Sequence, residues 1–141
     1  MPQVTTVQTG SFLSVSSPFG ADVLVLEGFS GREAISEPFH FELRMRSTNT
    51  ALSPASIVGQ SVTVTIQTQG GAARYFNGIV TRFAQVGADA ANGYYSAALA
   101  PRLWLATLGS DRTIYQNLSA LDIVEQVLSG LGVTVKKSTT G

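Results

Sequence analysis

The sequence predicts a β-dominated single domain: an open or closed antiparallel barrel with one helix near the C-terminal end. Three patterns carry that expectation. From Phe39 to Arg46, Phe39, Phe41, Leu43 and Met45 alternate with His40, Glu42, Arg44 and Arg46. Period two marks a strand, because successive side chains leave opposite faces of a pleated backbone. Gln60 to Thr68 alternates in the same way, with Val62, Val64 and Ile66 set against Ser61, Thr63, Thr65 and Gln67. A clear helical stripe is found only after residue 119.

The elements follow in chain order. Met1 to Gly10 is polar and Thr/Gln-rich, a loose arm unless a partner orders it. Phe12 to Val15 reads as a short edge strand ahead of a Ser-Pro-Phe-Gly turn at 17–20. The apolar run Val23–Leu26 predicts a largely buried strand. A turn-rich bridge from Gly28 to Pro38 then leads to the alternating strand, and is expected to be no tight hairpin. STNTALSPAS at 47–56 is loop. Gly70-Gly71 suits a tight hairpin, since glycine reaches positive φ without steric cost. Tyr75 to Phe83 returns as the partner strand, with Gly78 marking a bulge or a close backbone approach. GADAANG at 87–93 is a second turn, and Tyr94 to Leu99 a further strand ending at Pro101. PRLWLATL fits a short helical turn led by Pro101 or, nearly as well, a strand. Arg112 to Gln116 reads as a brief strand. The helix spans Ala120 to Leu131, with Ser119 as N-cap, Asp122 placed to reach back to it, and Gly130 or Gly132 as terminator. Its apolar residues form two offset stripes: Leu121, Val124 and Leu128, then Ile123, Val127 and Leu131. Val133 to Val135 starts another strand just before a polar tail, a pattern that suggests a piece of something longer.

Composition removes several function classes. Nine basic residues balance nine acidic ones, so no field of one sign draws the chain to nucleic acid or anionic lipid. With no cysteine and one histidine, thiolate chemistry is absent and a zinc site would have to be built mostly from carboxylates. No apolar run reaches the roughly 18–20 residues of a membrane span. No signal peptide is visible in MPQVTTVQTG, so the mature chain is expected to begin life in a cytoplasm. Neither form of phosphate-cradling glycine loop is present.

Five segments then occur in a telling order: GREAISEPFHFEL at 31–43, GQSVTVTI at 59–66, FNGIVTRF at 76–83, PRLWLATL at 101–108 and RTIYQNLSALDIVEQVL at 112–128. Together they resemble the N-terminal hub region of VgrG proteins, the spike of bacterial type VI secretion systems, itself similar to contractile-phage tail hubs. The resemblance covers residues 11–135, leaving an arm at 1–10 and a tail at 136–141. It implies a homotrimeric hub seated on an Hcp tube among baseplate components. A PAAR tip protein and effectors would be carried by downstream regions and delivered by injection into a target cell. It implies no catalysis and no cofactor. A phage or phage-like tail hub is the neighbouring alternative. A small secreted hydrolase or sugar-binding β-barrel is the alternative from another class.

No residue makes a convincing catalytic, cofactor-binding or metal-binding assignment. His40 lacks a specified nucleophile or carboxylate. Glu33, Glu37 and Glu42 read more simply as solvated charges or as partners of Arg32 and Arg44. Gly28-Phe29-Ser30-Gly31 misses the Gly-x-Ser-x-Gly elbow by one residue and precedes a strand. Asn117-Leu118-Ser119 fits a glycosylation sequon, but Ser119 is better explained as a helix cap. Four residues are candidates for an assembly contact. Trp104 is either core or anchor. Tyr94 and Tyr95 put one ring on each face of their strand. Arg112, beside Asp111, is otherwise a local ion pair.

Overall fold

The computed structural model describes Gln8 and residues 10–138. The chain divides between Pro101 and Arg102 into two compact units.

The first unit is one antiparallel sheet. Its strands are β1 (Leu13–Ser16), β2 (Val25–Ala34), β3 (Glu37–Ser47), β4 (Ser61–Gln67), β5 (Ala73–Ala88) and β6 (Gly93–Ala100), in the order β1-β4-β5-β6-β3-β2. The sheet curls into a half-barrel. Its concave face takes the alternate residues expected of β3 and β4: Phe41, Leu43, Met45, Val62 and Val64 are all buried, while Phe39 and Ile66 are half-buried at the margin. Leu24 and Leu26 from the β2 side, Val80 and Phe83 from β5, and Tyr95, Ala97 and Leu99 from β6 complete the core. Ile57, in the loop before β4, is 1% exposed and pins that loop to the core.

The bridge after Gly28 differs from the expectation. It is not a loose connection: β2 runs on to Ala34 and turns into β3 through Ile35 and Ser36 alone. Ser36 takes φ 66°, the left-handed conformation such a turn needs, without the Gly, Asn or Asp that usually signals it. Register shifts between Leu26 and Gly28 and between Arg32 and Ala34 add the local twist. Gly31 sits within the ladder opposite Phe41. A Cβ there would lie 2.5 Å from the His40 carbonyl oxygen and 2.0 Å from a Phe41 ring carbon.

β5 is longer than the expected Tyr75–Phe83 strand. Gly78 lies in regular register with Val62 and marks a close approach, since an added Cβ would meet the Ala100 carbonyl oxygen at 2.8 Å. The bulges of β5 fall elsewhere, between Val80 and Arg82 and between Gln85 and Gly87. Gly70 and Gly71 take φ 114° and 86° in the β4–β5 turn.

Of the N-terminal arm, residues 1–7 and 9 lie outside the described residues. Gln8 is no loose residue, being 8% exposed and bonded into the sheet.

The second unit carries a 3-10 turn over Arg102–Leu108 and helix α1 over Ala120–Ser129. Ser119 caps α1, accepting from the Asp122 backbone N–H at 3.2 Å and donating its hydroxyl to Asp122 Oδ2 at 2.6 Å. Gly132 at φ 67° follows, and Val133 N–H closes back on Leu128 O. The strands expected at Arg112–Gln116 and Val133–Val135 do not form; neither segment has a ladder partner among the described residues. Both are short apolar–polar runs, and such runs become strands only when an edge is there to receive them.

Candidate assembly surface

The convex face of the sheet carries a row of charged side chains. Side chains two apart on β3 share a face, which brings His40 Nε2 within 3.0 Å of Glu42 Oε1. Glu42 and Arg82 both stand opposite Ala98, one on each side of β6. The small alanine lets the pair meet across it, with Arg82 Nη2 donating at 2.9 and 3.0 Å to the two Glu42 oxygens. Arg46 Nε pairs with Glu27 at 2.9 Å and Arg32 with Glu37 at 3.3 Å across the β2–β3 turn. So Arg32 does take a glutamate partner, whereas Glu42 binds Arg82 and His40 and not Arg44. The Arg44 guanidinium lies over Gly28, where a Cβ would meet it at 2.8 Å. Exposed pairs of this kind contribute at most about 1 kcal/mol each, so they set the pattern of the surface more than its stability. Gly28-Phe29-Ser30-Gly31 lies inside β2 as ordinary strand, which settles it against a nucleophile elbow.

The two neighbouring tyrosines part as alternation requires. Tyr95 is 1% exposed, stacks on Phe83 at 5.2 Å, and donates its hydroxyl to Asn49 O at 2.8 Å. It is a core residue and offers no surface contact. Tyr94 stands half-buried on the convex side and donates to Asp89 Oδ2 at 2.6 Å. That bond holds the Asp89 carboxyl below its ordinary value, helped by the Ala91 and Asn92 backbone N–H groups, and raises the Tyr94 phenol above its own.

In the second unit Trp104 is half-buried and Arg112 exposed. Arg112 meets Asp111 through its backbone N–H at 2.7 Å, and the expected side-chain ion pair is not among the described contacts. No described residue from Arg102 onward is buried. Leu121, Val124 and Val127 of α1 remain 43%, 46% and 45% exposed. A cleft of about 560 Å³ is lined by Leu105, Tyr115, Val127 and Leu131, with Asp111 and Thr113 at its polar side. Lys137 pairs with Asp122 at 3.0 Å and Glu125 at 2.7 Å, laying the tail back along the helix.

Exposed apolar residues missed in the sequence stand at the sheet margins: Ile35 on the β2–β3 turn is 97% exposed, with Phe12, Tyr75 and Val86 above 60%. For Ile35 a signal existed, an isoleucine in the polar stretch Arg32–Glu37 with no alternation to place it inside. Among the described residues no group of three or more acidic or histidine side chains could hold a metal ion, and no helix is long and apolar enough to cross a membrane.

Residues 32–140 match the family described as phage tail baseplate hub (GPD). The chain belongs to the phage tail baseplate hub family. Relatives of this hub chain include two spike proteins of the type VI secretion system from Pseudomonas aeruginosa. VgrG1a is 36% identical over 89% of the hub chain and 20% of its own length, and VgrG1c 39% over 84% and 16%. The hub chain thus spans about a fifth or less of these relatives. Among solved structures, the E. coli c3393 protein matches with TM-score 0.64 and 29% identity, over 74% of the hub chain and 31% of that structure's chain. It is described as a component of the type VI secretion system with structural similarity to the T4 bacteriophage tail proteins gp27 and gp5. The family is one of structural hub and spike proteins.

Proposed function

We propose that residues 11–135 serve as a hub domain of a type VI secretion spike, working by assembly and mechanical delivery. In this reading the hub is homotrimeric, sits on an Hcp tube within the baseplate, and is injected with a PAAR tip and effectors carried by the rest of the spike. It begins in the cytoplasm and leaves the cell with the discharged machine. The observation that carries the reading is the combination of the hub-family match with spike relatives aligned over more than four-fifths of the chain. The unburied apolar face of the second unit is what a surface awaiting assembly presents, because large exposed apolar patches mark interaction sites. Tyr94, Trp104 and Arg112 remain proposed contacts, and Tyr95 drops out as core.

The test is genetic. In the source bacterium, with other spike genes removed, in-frame deletion of the codons for residues 11–135 is expected to abolish Hcp release into the medium. Release at the parental level would overturn the spike reading. The phage-hub alternative rests on the tail-protein likeness of the solved neighbour; it predicts unchanged Hcp release and tail-like particles that no longer assemble.

A further inference from the structure

The half-barrel has a seam. β1 is a four-residue edge strand laddered only to β4, and β2 is the opposite edge laddered only to β3. No backbone ladder joins β1 to β2 among the described residues. Among the described residues, the Gln8 side chain bridges them. Gln8 Oε1 accepts from the Val15 N–H on β1 at 2.8 Å and, more distantly, from the Leu26 N–H on β2 at 3.5 Å. Gln8 Nε2 donates to the Leu24 carbonyl at 2.7 Å and the Val15 carbonyl at 3.4 Å. The backbone N–H of Gln8 is itself held by Asp22 Oδ1 at 2.9 Å. A carboxamide carries the same donor and acceptor as a peptide group, so Gln8 supplies in one side chain what a missing strand would supply in its backbone. Edge groups left without any partner are costly when buried.

We propose that Gln8 is the clasp of this sheet, and that the β1–β2 seam is a gate that opens as a unit while β3, β5 and β6 stay folded. Burial supports a clasp over a chance contact: Gln8 is 8% exposed, and Val15, Leu24 and Leu26 are each 6% exposed or less. The weak side of the molecule is also here. Ser17 Oγ, just after β1, is buried with no hydrogen-bond partner and lines the same cleft as Gln8, Asp22 and Thr65. Regions held by few bonds open below the global unfolding free energy, in contiguous units. β6, laddered on both sides by β3 and β5, stands at the other extreme.

The test is residue-resolved amide exchange by NMR on the 141-residue chain. In the native protein the Val15 and Leu26 amides should exchange faster than those of Ala97 and Leu99, with little dependence on low urea, as for a local opening. Gln8→Ala should accelerate Val15 and Leu26 at least tenfold and leave Ala97 and Leu99 unchanged. Uniform acceleration across the sheet, or no change at the seam, would overturn the gate. If the variant does not fold, the native protein still decides: seam and β6 amides sharing one rate and one urea dependence would refute a separate opening.

Discussion

Replacing Gly31 by alanine puts the packing of the β2–β3 hairpin to its sharpest test. The added Cβ would fall 2.0 Å from a Phe41 ring carbon, 2.5 Å from the His40 carbonyl oxygen and 2.9 Å from the Phe41 Cα. The last two are backbone atoms, so a rotamer change in Phe41 cannot relieve the clash; the strands must separate. Phe41 is also the hub of an aromatic cluster, with ring centroids 4.9 Å from Phe29, 4.8 Å from Phe39 and 5.3 Å from Phe76. Overpacking costs about 1–3 kcal/mol, and partial loss of these ring contacts adds about 1–2 kcal/mol. Stiffening the unfolded chain returns roughly 0.4–1 kcal/mol. The expected destabilisation is therefore about 1–4.5 kcal/mol, roughly 5- to 2,000-fold in the unfolding constant. Urea denaturation followed by far-UV circular dichroism measures it. Gly87→Ala is the control, since its Cβ would meet nothing closer than Tyr94 at 4.0 Å, and it should stay within about 0.5 kcal/mol. If Gly31→Ala is as mild as Gly87→Ala, the close approach assigned to this hairpin is wrong.

Two further outcomes follow from the tyrosine pair. Tyr95→Phe removes the hydroxyl that bonds Asn49 O and Leu52 N–H while keeping the ring on Phe83; it should cost about 1–2 kcal/mol in the same urea assay, and no loss would mean those groups find other partners. Tyr94→Phe removes the largest cause of the lowered Asp89 carboxyl, so that carboxyl should titrate closer to its ordinary 3.8 by carbon-13 NMR. The bond acts at both ends of the pH range: Asp89, lowered by folding, stabilises above pH 3.8 and loses that contribution as pH falls through its folded value. Tyr94, raised by folding, stabilises below pH 10.0 and loses its share as pH rises through its folded value. An Asp89 titration identical in both proteins would remove the bond from the account.

The sequence alone determined the strands whose one face is buried. In β3 and β4 the alternation of Phe41, Leu43 and Met45, and of Val62 and Val64, is the core pattern itself, because a half-buried strand writes its orientation into every second residue. The helix start was equally legible, since Ser119 and Asp122 satisfy orphan amides locally and need nothing from the rest of the fold. Five ordered segments carried the family. Tertiary structure decided what depends on a distant partner. Gly28 to Pro38 carries turn residues, yet β3 captures it as strand, and Ser36 turns without the usual glycine because both strands already hold their register. The segments 112–116 and 133–135 had strand-like composition and found no edge. Tyr94 and Tyr95 are identical in sequence, and only the sheet decides which ring enters the core and which meets Asp89. Gln8 and Ile35 show the same limit from opposite sides: a polar residue buried because two edges converge on it, and an apolar one exposed because the turn carries it out. Local chemistry fixes elements; non-local geometry fixes which groups those elements face.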